Sequence, residues 1–405
     1  MTILSNGFPT NMPDSENVSQ GGPANFARLF SAYIKENTKD RWIGVMFQTT
    51  NLKTTELEKV FTFPRINYYK LYFPGQQLKE ITQAETKIDP SLILKKSIEV
   101  LADLIRQKKP DVVFLNGFGL FNWMLLKAAQ QTGVPVVIQH AGIWTKELYI
   151  HRALYSVAGR KIMEKMEQDS SELTAAEIFL NEWSKDYYHK NVAKRLDKQN
   201  YIIPLPFNFS VFKKLSTNKI DSQFFFDEQK LHIGVIARWD DIKNHKLILS
   251  LAKEAKKLQL PWQIHTITNI PDQLKNQNTK KQYEKLIDVI APLDRVGISD
   301  FCNSVDLLIQ PSLFDVSPTV VLEAIASNTP IAISQTVGYV HDFKTYQAKD
   351  WILSNDASSV IKQIKKIANK PMPATLKKRL RTAHDNERVF TAYLNLFTKV
   401  NKKSY

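Results

Sequence analysis

The stretch SVDLLIQPSLFDVSPTVVLEAIASNTPIAIS, residues 304–334, holds a complete unit of local structure. Leu307, Leu308 and Ile309 form a short apolar run ended by Pro311, the pattern of a strand buried on both faces. Ser317 is a favourable N-cap, and Pro318 a favourable first helical residue because its missing N–H needs no partner there. Asn328 and Pro330 mark the helix end, and Ile331–Ile333 begins another buried strand. Strand, tight loop, helix and strand make the repeating unit of a parallel α/β sheet.

The loop within this unit leaves the carboxyl end of a strand, where open α/β sheets bind ligands. The helix start presents free N–H groups and a partial positive charge, which suit a phosphate. Asp315 and Glu323 bracket that start. Glu323 shares a helix face with Thr319, and helical side chains lean toward the N-terminus. A carboxylate there would repel a phosphate but accept hydrogen bonds from the hydroxyls of a neighbouring ribose. Asp315 could take hydroxyls on the other side, which suggests a sugar nucleotide. The same residues are equally compatible with a helix-dipole carboxylate and a turn-capping aspartate.

The chain has 405 residues, so two domains are expected. Its 43% hydrophobic and 23% charged content describes a globular protein. One cysteine, Cys302, excludes an internal disulfide and a cysteine-based metal site. The start MTILSNGFPT lacks the basic and apolar regions of a secretory signal. The longest apolar region, residues 112–126, is interrupted by Asn116 and Asn122 and is too short to span a bilayer. The net charge of +15 concentrates toward the end: from Val360 onward twelve Lys or Arg face only Asp385 and Glu387. Membrane lipid or an acidic substrate would suit this segment, and so would a solvated basic face. No nucleic-acid motif accompanies the charge, so no nucleic-acid partner is expected.

The two halves repeat one grammar. The first reads as strands at 2–4, 42–49, 111–117, 134–140 and 175–182, with helices opening at Gly21-Gly22 and spanning 91–108. The proline-bounded IIPLPFNF, residues 202–209, opens a region without periodicity to about Lys230, the best linker candidate. The second half reads as strands at 231–238, 262–268, 285–290 and 305–311. A final helix, 388–400, carries one apolar stripe from Val389, Phe390, Tyr393, Leu394 and Phe397, which must pack on something. The boundaries are therefore 1–205 and 206–384, each a doubly wound α/β domain.

A second charged element, VIARWDDIKNHK (235–246), places Arg238 at a strand's carboxyl end and Lys243 five residues later. Lys243, His245 and Lys246 fall near a helix start, where cations oppose the dipole unless an anion is present. Two fixed cations facing a pyrophosphate would stabilise a departing nucleotide without metal. Alternatively, Asp240 or Asp241 caps the helix and offsets the lysines.

Taken together, these residues resemble the GT-B glycosyltransferases, and within them glycosyltransferase family 4. Arg238 and Lys243 match that family's Arg-x4-Lys pair, and Asp315 and Glu323 its Glu-x7-Glu. Gly21 and Gly22 match its Gly-Gly loop, and His140 in VVIQHAG matches a histidine often found after a strand of the first domain. The ordered set runs from Gly21 to the final helix. Three features depart from the pattern. The first acid is Asp rather than Glu. Val316, Ser317 and Pro318 replace a glycine-rich stretch, and PLPFNF replaces a Pro-Asn-Gly turn.

The resemblance implies a GT-B fold, two Rossmann-like domains facing a central cleft, with the last helix crossing back onto the first domain. It implies that the second domain holds a nucleoside diphosphate sugar. Arg238 and Lys243 would hold the diphosphate, helped by the helix start at Ser317, Thr319 and Val320. Glu323 would hold the ribose, Asp315 the donor-sugar hydroxyls, and His140 would face that sugar. Gly21 and Gly22 would allow close backbone approach to a phosphate. The implied reaction retains anomeric configuration, needs no metal or other cofactor, and lets the leaving phosphate oxygen take the acceptor's proton. The first domain would bind the acceptor, a glycan or lipid-linked molecule. FTFPRINYYKLYF (61–73), with six aromatic residues, would line that groove, touch a membrane, or supply core strands. The implied setting is surface-polysaccharide synthesis in the cytoplasm, at the inner face of the membrane. Two rivals share the fold: a nucleotide-sugar epimerase and a catalytically silent binding subunit.

Overall fold

A computed structural model of the chain describes residues 1–7, 22–51, 53–193, 199–210, 224, 226–271, 278–368 and 370–402. These residues divide into two compact units, the first taking in 1–7, 22–206 and 387–402, the second 207–386.

The strands of the first unit are β1 (Thr2–Asn6), β2 (Arg41–Thr50), β3 (Glu56–Phe63), β4 (Ile66–Pro74), β5 (Val112–Asn116), β6 (Val136–His140), β7 (Ala176–Phe179) and β8 (Gln199–Ile202). Its helices are α1 (Gly22–Asn37), α2 (Gly75–Thr82), α3 (Pro90–Ile93), α4 (Lys95–Lys108), α5 (Leu120–Thr132), α6 (Trp144–Ile150), α7 (Val157–Leu173) and α8 (Glu182–Asn191). The sheet order is β3-β4-β2-β1-β5-β6-β7-β8. All pairs are parallel except β3–β4, so β5, β6 and β7 are buried on both faces along their whole length. Strand order reverses between β1 and β5, the point where such a sheet opens a crevice.

The aromatic stretch 61–73 is an antiparallel hairpin. Phe63 pairs with Ile66 across Pro64 and Arg65, and Arg65 takes φ 67°. β4 has a strand on each side and buries Ile66, Tyr68, Tyr69, Leu71 and Phe73. β3 is the edge, and its Glu56, Glu58 and Lys59 are exposed, as edge strands favour. The aromatics of β4 are thus core side chains, with Tyr72 half-buried and bonded to Glu58 at 3.0 Å.

The second unit comprises β9 (Leu231–Ile236), α9 (His245–Lys257), β10 (Trp262–Ile267), α10 (Asn278–Leu286), β11 (Asp288–Ile290), α11 (Arg295–Ser304), β12 (Leu307–Gln310), α12 (Thr319–Ser327), β13 (Ile331–Ser334), α13 (Val340–Thr345), β14 (Ile352–Leu353), α14 (Ala357–Ile367) and α15 (Ala374–Ala383). Its all-parallel sheet runs β11-β10-β9-β12-β13-β14, reversing between β9 and β12. Gly234 in β9 is required there, because an added Cβ would lie 2.8 Å from Leu308 and 2.9 Å from Phe301. The expected strand at 285–290 is present but shorter, as β11 at Asp288–Ile290, because residues 285 and 286 still belong to α10. Tyr283 is fully buried and its hydroxyl meets Thr266 at 3.1 Å, while Lys280 and Glu284 pair one turn apart, so α10 continues to Leu286. The expected linker begins irregularly after β8, and its residues 211–223 and 225 lie outside the described residues.

The last helix, α16 (Asn386–Lys402), buries Val389, Phe390, Tyr393, Leu396, Phe397 and Val400. Its rings pack on those of α1 and β5: Phe390 on Phe30 at 5.2 Å, Tyr393 on Phe26 at 4.8 Å, Phe397 on Phe114 at 5.2 Å. Among the described residues no helix is long and apolar enough to cross a membrane. Both units are thus doubly wound α/β sheets covered by helices, as the sequence led one to expect.

Candidate functional site

In the second unit the loops 237–244 and 311–318 leave adjacent strands at the reversal between β9 and β12. They are tied together: Asn244 Nδ2 donates to the Pro311 carbonyl at 3.1 Å, and the Leu313 N–H to the Ile242 carbonyl at 2.8 Å. Asp240 caps the short 3-10 turn Asp241–Lys243 through the Ile242 N–H at 2.8 Å, while α9 itself is capped by Asn244 rather than by Asp240 or Asp241. Asn244, at φ 57°, then turns the chain into α9.

This path brings Lys243 to Asp315. Lys243 Nζ lies 2.5 Å from Asp315 Oδ2, with both side chains mostly buried. Gln310 Nε2 reaches the same oxygen at 3.4 Å and Ser312 Oγ at 2.8 Å. The backbone of Asp315 is clamped on both sides, its N–H to the Thr336 carbonyl and its carbonyl to the Gly338 N–H. Arg238 is different: its side chain is 77% exposed and meets Asp240 at 3.8 Å. Its backbone is nonetheless fixed, because His245 Nε2 donates to the Arg238 carbonyl at 2.8 Å while Nδ1 faces the Tyr283 hydroxyl at 3.0 Å. Burial lowers the His245 pKa, and Trp239 stacks on its ring at 4.4 Å. His245 is therefore a neutral support, not one of the cations expected at the helix start.

α12 begins at Thr319, with Pro318 as an extended N-cap whose side chain caps nothing. Ser317 is not the cap that the sequence predicts. Its hydroxyl lies 3.0 Å from that of Tyr339, and Pro318 takes the boundary position because its extended ψ of 123° cannot continue into the helix. The N–H groups of Thr319 and Val320 have no acceptor among the described residues. One turn on, Glu323 keeps some accessible surface. Its carboxyl is nevertheless packed deeply enough that burial pushes the pKa up to about 7, against the pull of the Arg295 guanidinium and the Thr319 hydroxyl.

In the first unit, His140 ends β6 and exposes none of its surface. Its Nε2 lies 3.0 Å from Glu177 Oε1, and Phe179 and Tyr188 pack on its ring at 4.6 and 4.2 Å. The expectation that it faces a sugar is corrected here: buried among these rings, it is a core histidine. Gly22 opens α1 against Leu205, where an added Cβ would lie 3.1 Å from a methyl group. Gly21 lies outside the described residues.

The spacing of charged residues did not single out Gln310 or Arg295, and it took His245 for a cation rather than a neutral support. A polar residue closing the buried run LLIQ was the one visible signal for Gln310. A cavity of about 450 Å³ at the amino edge of the second unit's sheet, between α9 and β10–β11, contains none of these residues.

Residues 216–386 match the family model Glycosyl transferases group 1. A stretch of 108 residues is 30% identical to the "Putative glycosyltransferase EpsF" of Bacillus subtilis (strain 168), covering 27% of this chain and only 28% of that relative. The whole chain superposes on the sucrose-phosphate synthase of Thermosynechococcus elongatus with a TM-score of 0.73 at 14% identity, covering 98% of each. It also superposes on an E. coli trehalose-6-phosphate structure bound with UDP-2-fluoro glucose, at TM-score 0.66 and 11% identity, again covering 98% of each. The chain thus has the GT-B fold, and residues 216–386, most of its second unit, are similar to the group 1 glycosyl transferases.

Proposed function

We propose that the chain transfers a hexose-type sugar from a nucleoside diphosphate sugar to a glycan or lipid-linked acceptor, retaining anomeric configuration. The observation that carries this reading is the convergence of Lys243, Arg238 and the unpartnered N-terminus of α12 at the strand-order reversal of the second unit. Those groups suit a diphosphate. The bond from the anomeric carbon to the phosphate oxygen breaks as the bond to the acceptor oxygen forms, and the departing phosphate oxygen takes the acceptor's proton. Lys243 and Arg238 stabilise the charge that develops, so no metal or other cofactor is required and transfer continues in EDTA.

The Lys243–Asp315 pair adds a step. The diphosphate must take Lys243 from Asp315, which frees the Asp315 carboxylate for donor-sugar hydroxyls. Lys243→Ala should therefore lower turnover by roughly 10²–10³, the scale of one lost charge-stabilising donor. Asp315→Asn should hold a bare nucleoside diphosphate at least as tightly as the wild type, yet transfer poorly. Normal transfer by Lys243→Ala would sink the assignment. Free sugar released without acceptor would instead identify an epimerase, and the absence of any turnover a binding subunit.

The setting we favour is surface-polysaccharide synthesis at the cytoplasmic face of a membrane, with no nucleic-acid partner. The basic C-terminal segment supports a membrane role less than its charge suggests. Arg381 caps the end of α12 through the Ile325 and Ala326 carbonyls, Lys377 bonds Asn328, Arg379 meets Asp342, and Lys366 meets Asp350. Lys362, Lys365, Lys370 and Lys378 remain exposed for an anionic surface.

A further inference from the structure

The first unit holds a cavity of about 590 Å³ at its own strand-order reversal, between the carboxyl ends of β1 and β5. That size suits a small organic ligand. Its walls are apolar and largely aromatic. Phe118 meets Trp144 edge-on at 5.4 Å, and Phe121 stacks on Phe47 at 5.2 Å; Tyr155 and Leu154 complete the side away from the sheet.

The floor is made of amides, but they are spent on one another. Asn6 Nδ2 donates to the Asn116 carbonyl at 3.1 Å, and the Asn116 N–H to Asn6 Oδ1 at 2.7 Å. Asn116 Nδ2 donates to the Pro23 carbonyl at 2.7 Å, and Gln139 Nε2 to Asn116 Oδ1 at 3.3 Å. Thr82 Oγ1, also in the lining, donates back into its own helix at 2.9 Å. With these side-chain amides already engaged and the walls mainly apolar, the cavity suits an apolar chain better than a glycan.

The mouth continues the apolar surface outward. Leu154 lines the cavity and is 63% exposed; Tyr149 is 58% and Val157 63% exposed on the same segment. Three of the eight large hydrophobic residues exposed among the described ones thus fall within residues 149–157. Cations accompany them. Among the described residues Lys79 is the one charged residue in the lining, and Lys146, Arg152, Arg160 and Lys161 lie on the flanking segment 144–164 with Glu147 and Glu164 against them.

We propose that this cavity seats the apolar chain of a lipid-linked acceptor, an amphiphile whose anionic head stays at the cationic mouth. The proposal rests on the transferase reading and narrows its acceptor from glycan or lipid-linked to lipid-linked.

The test is direct titration of the full chain with farnesyl monophosphate below its micelle concentration, beside inorganic phosphate and maltose. Saturable binding of farnesyl monophosphate alone is expected. Leu154→Glu, at an exposed position that leaves folding intact, should weaken it at least tenfold, as should Phe118→Asp if that variant folds. Neither change should alter nucleoside diphosphate binding by the second unit. Saturable binding of maltose without the amphiphile, saturable binding of phosphate alone, or equal amphiphile binding by wild type and Leu154→Glu would overturn the proposal. If the wild type binds the amphiphile but no nucleoside diphosphate, the transferase reading fails while the cavity assignment stands.

Discussion

Glu323 shows how far a single residue could be read. Its position, four residues after a helix start beside a strand-end loop, was visible in the sequence, and so was its suitability for hydroxyls. Its proton was not, because burial by α11 and the approach of Arg295 depend on the tertiary fold. With a pKa of about 7, the group is mainly charged at pH 8 and mainly neutral at pH 6. Only the carboxylate is a strong acceptor, so nucleoside affinity should fall roughly ten- to a hundredfold as pH drops, the worth of one hydrogen bond to a charged group. Titrating a nucleoside without phosphates removes their own protonation from the measurement, and Glu323→Gln should flatten the profile. An unchanged profile in that variant would free Glu323 from the ribose. The stability effect has the opposite sense. Because the folded pKa is raised, Glu323's contribution is full below the unfolded pKa and is lost as pH rises through about 7. Lys243 and Asp315 were likewise found by spacing, but their pairing with each other was not, since either could equally have faced solvent.

At the scale of elements, the buried parallel strands were legible because continuous apolar runs leave little choice. The β3–β4 hairpin was not. Its turn is Pro64-Arg65 rather than the Asn-Gly type that marks such connections, and a strand paired on both sides shows no alternation. Capping across elements was also invisible. Glu167 in α7 is fully buried and accepts from the Trp144 N–H at 2.9 Å, the Thr145 N–H at 2.6 Å and the Thr145 hydroxyl at 2.7 Å, holding the start of α6. Burial raises its pKa against those donors. Glu167→Ala leaves three part-buried donors without their acceptor, so the expected loss is about 1–3 kcal/mol. Chemical denaturation should show a lower midpoint for the first unit, with Glu167→Gln less affected because it keeps the volume and one acceptor. A wild-type midpoint in the alanine variant would mean that water replaces the carboxylate.

At the scale of the molecule, the chain order hides one assembly fact: the first unit is completed by a helix that follows the whole second unit in the sequence. The apolar stripe on α16 announced a partner, and the resemblance named it, but no periodicity could say which rings it would meet. They are Phe26, Phe30 and Phe114, and Tyr393 adds a hydroxyl bond to Gln139 Oε1 at 2.5 Å, joining α16 to the amide floor of the cavity. Phe397 is fully buried in this cluster, so Phe397→Ala should cost roughly 3–5 kcal/mol. The chain has two cores, so its unfolding need not be a single transition, and a heat scan should resolve two. The transition belonging to the second unit can be identified by its upward shift with nucleoside diphosphate, about 2.7 kcal/mol at 100 times Kd. Phe397→Ala should then lower only the other transition. For a unit of this size about 2–4 °C per kcal/mol applies, which gives a shift of roughly 6–20 °C. If the ligand-responsive transition moves instead, α16 stabilises the second unit and the assignment of the helix to the first is wrong. If both move together, the two cores unfold as one.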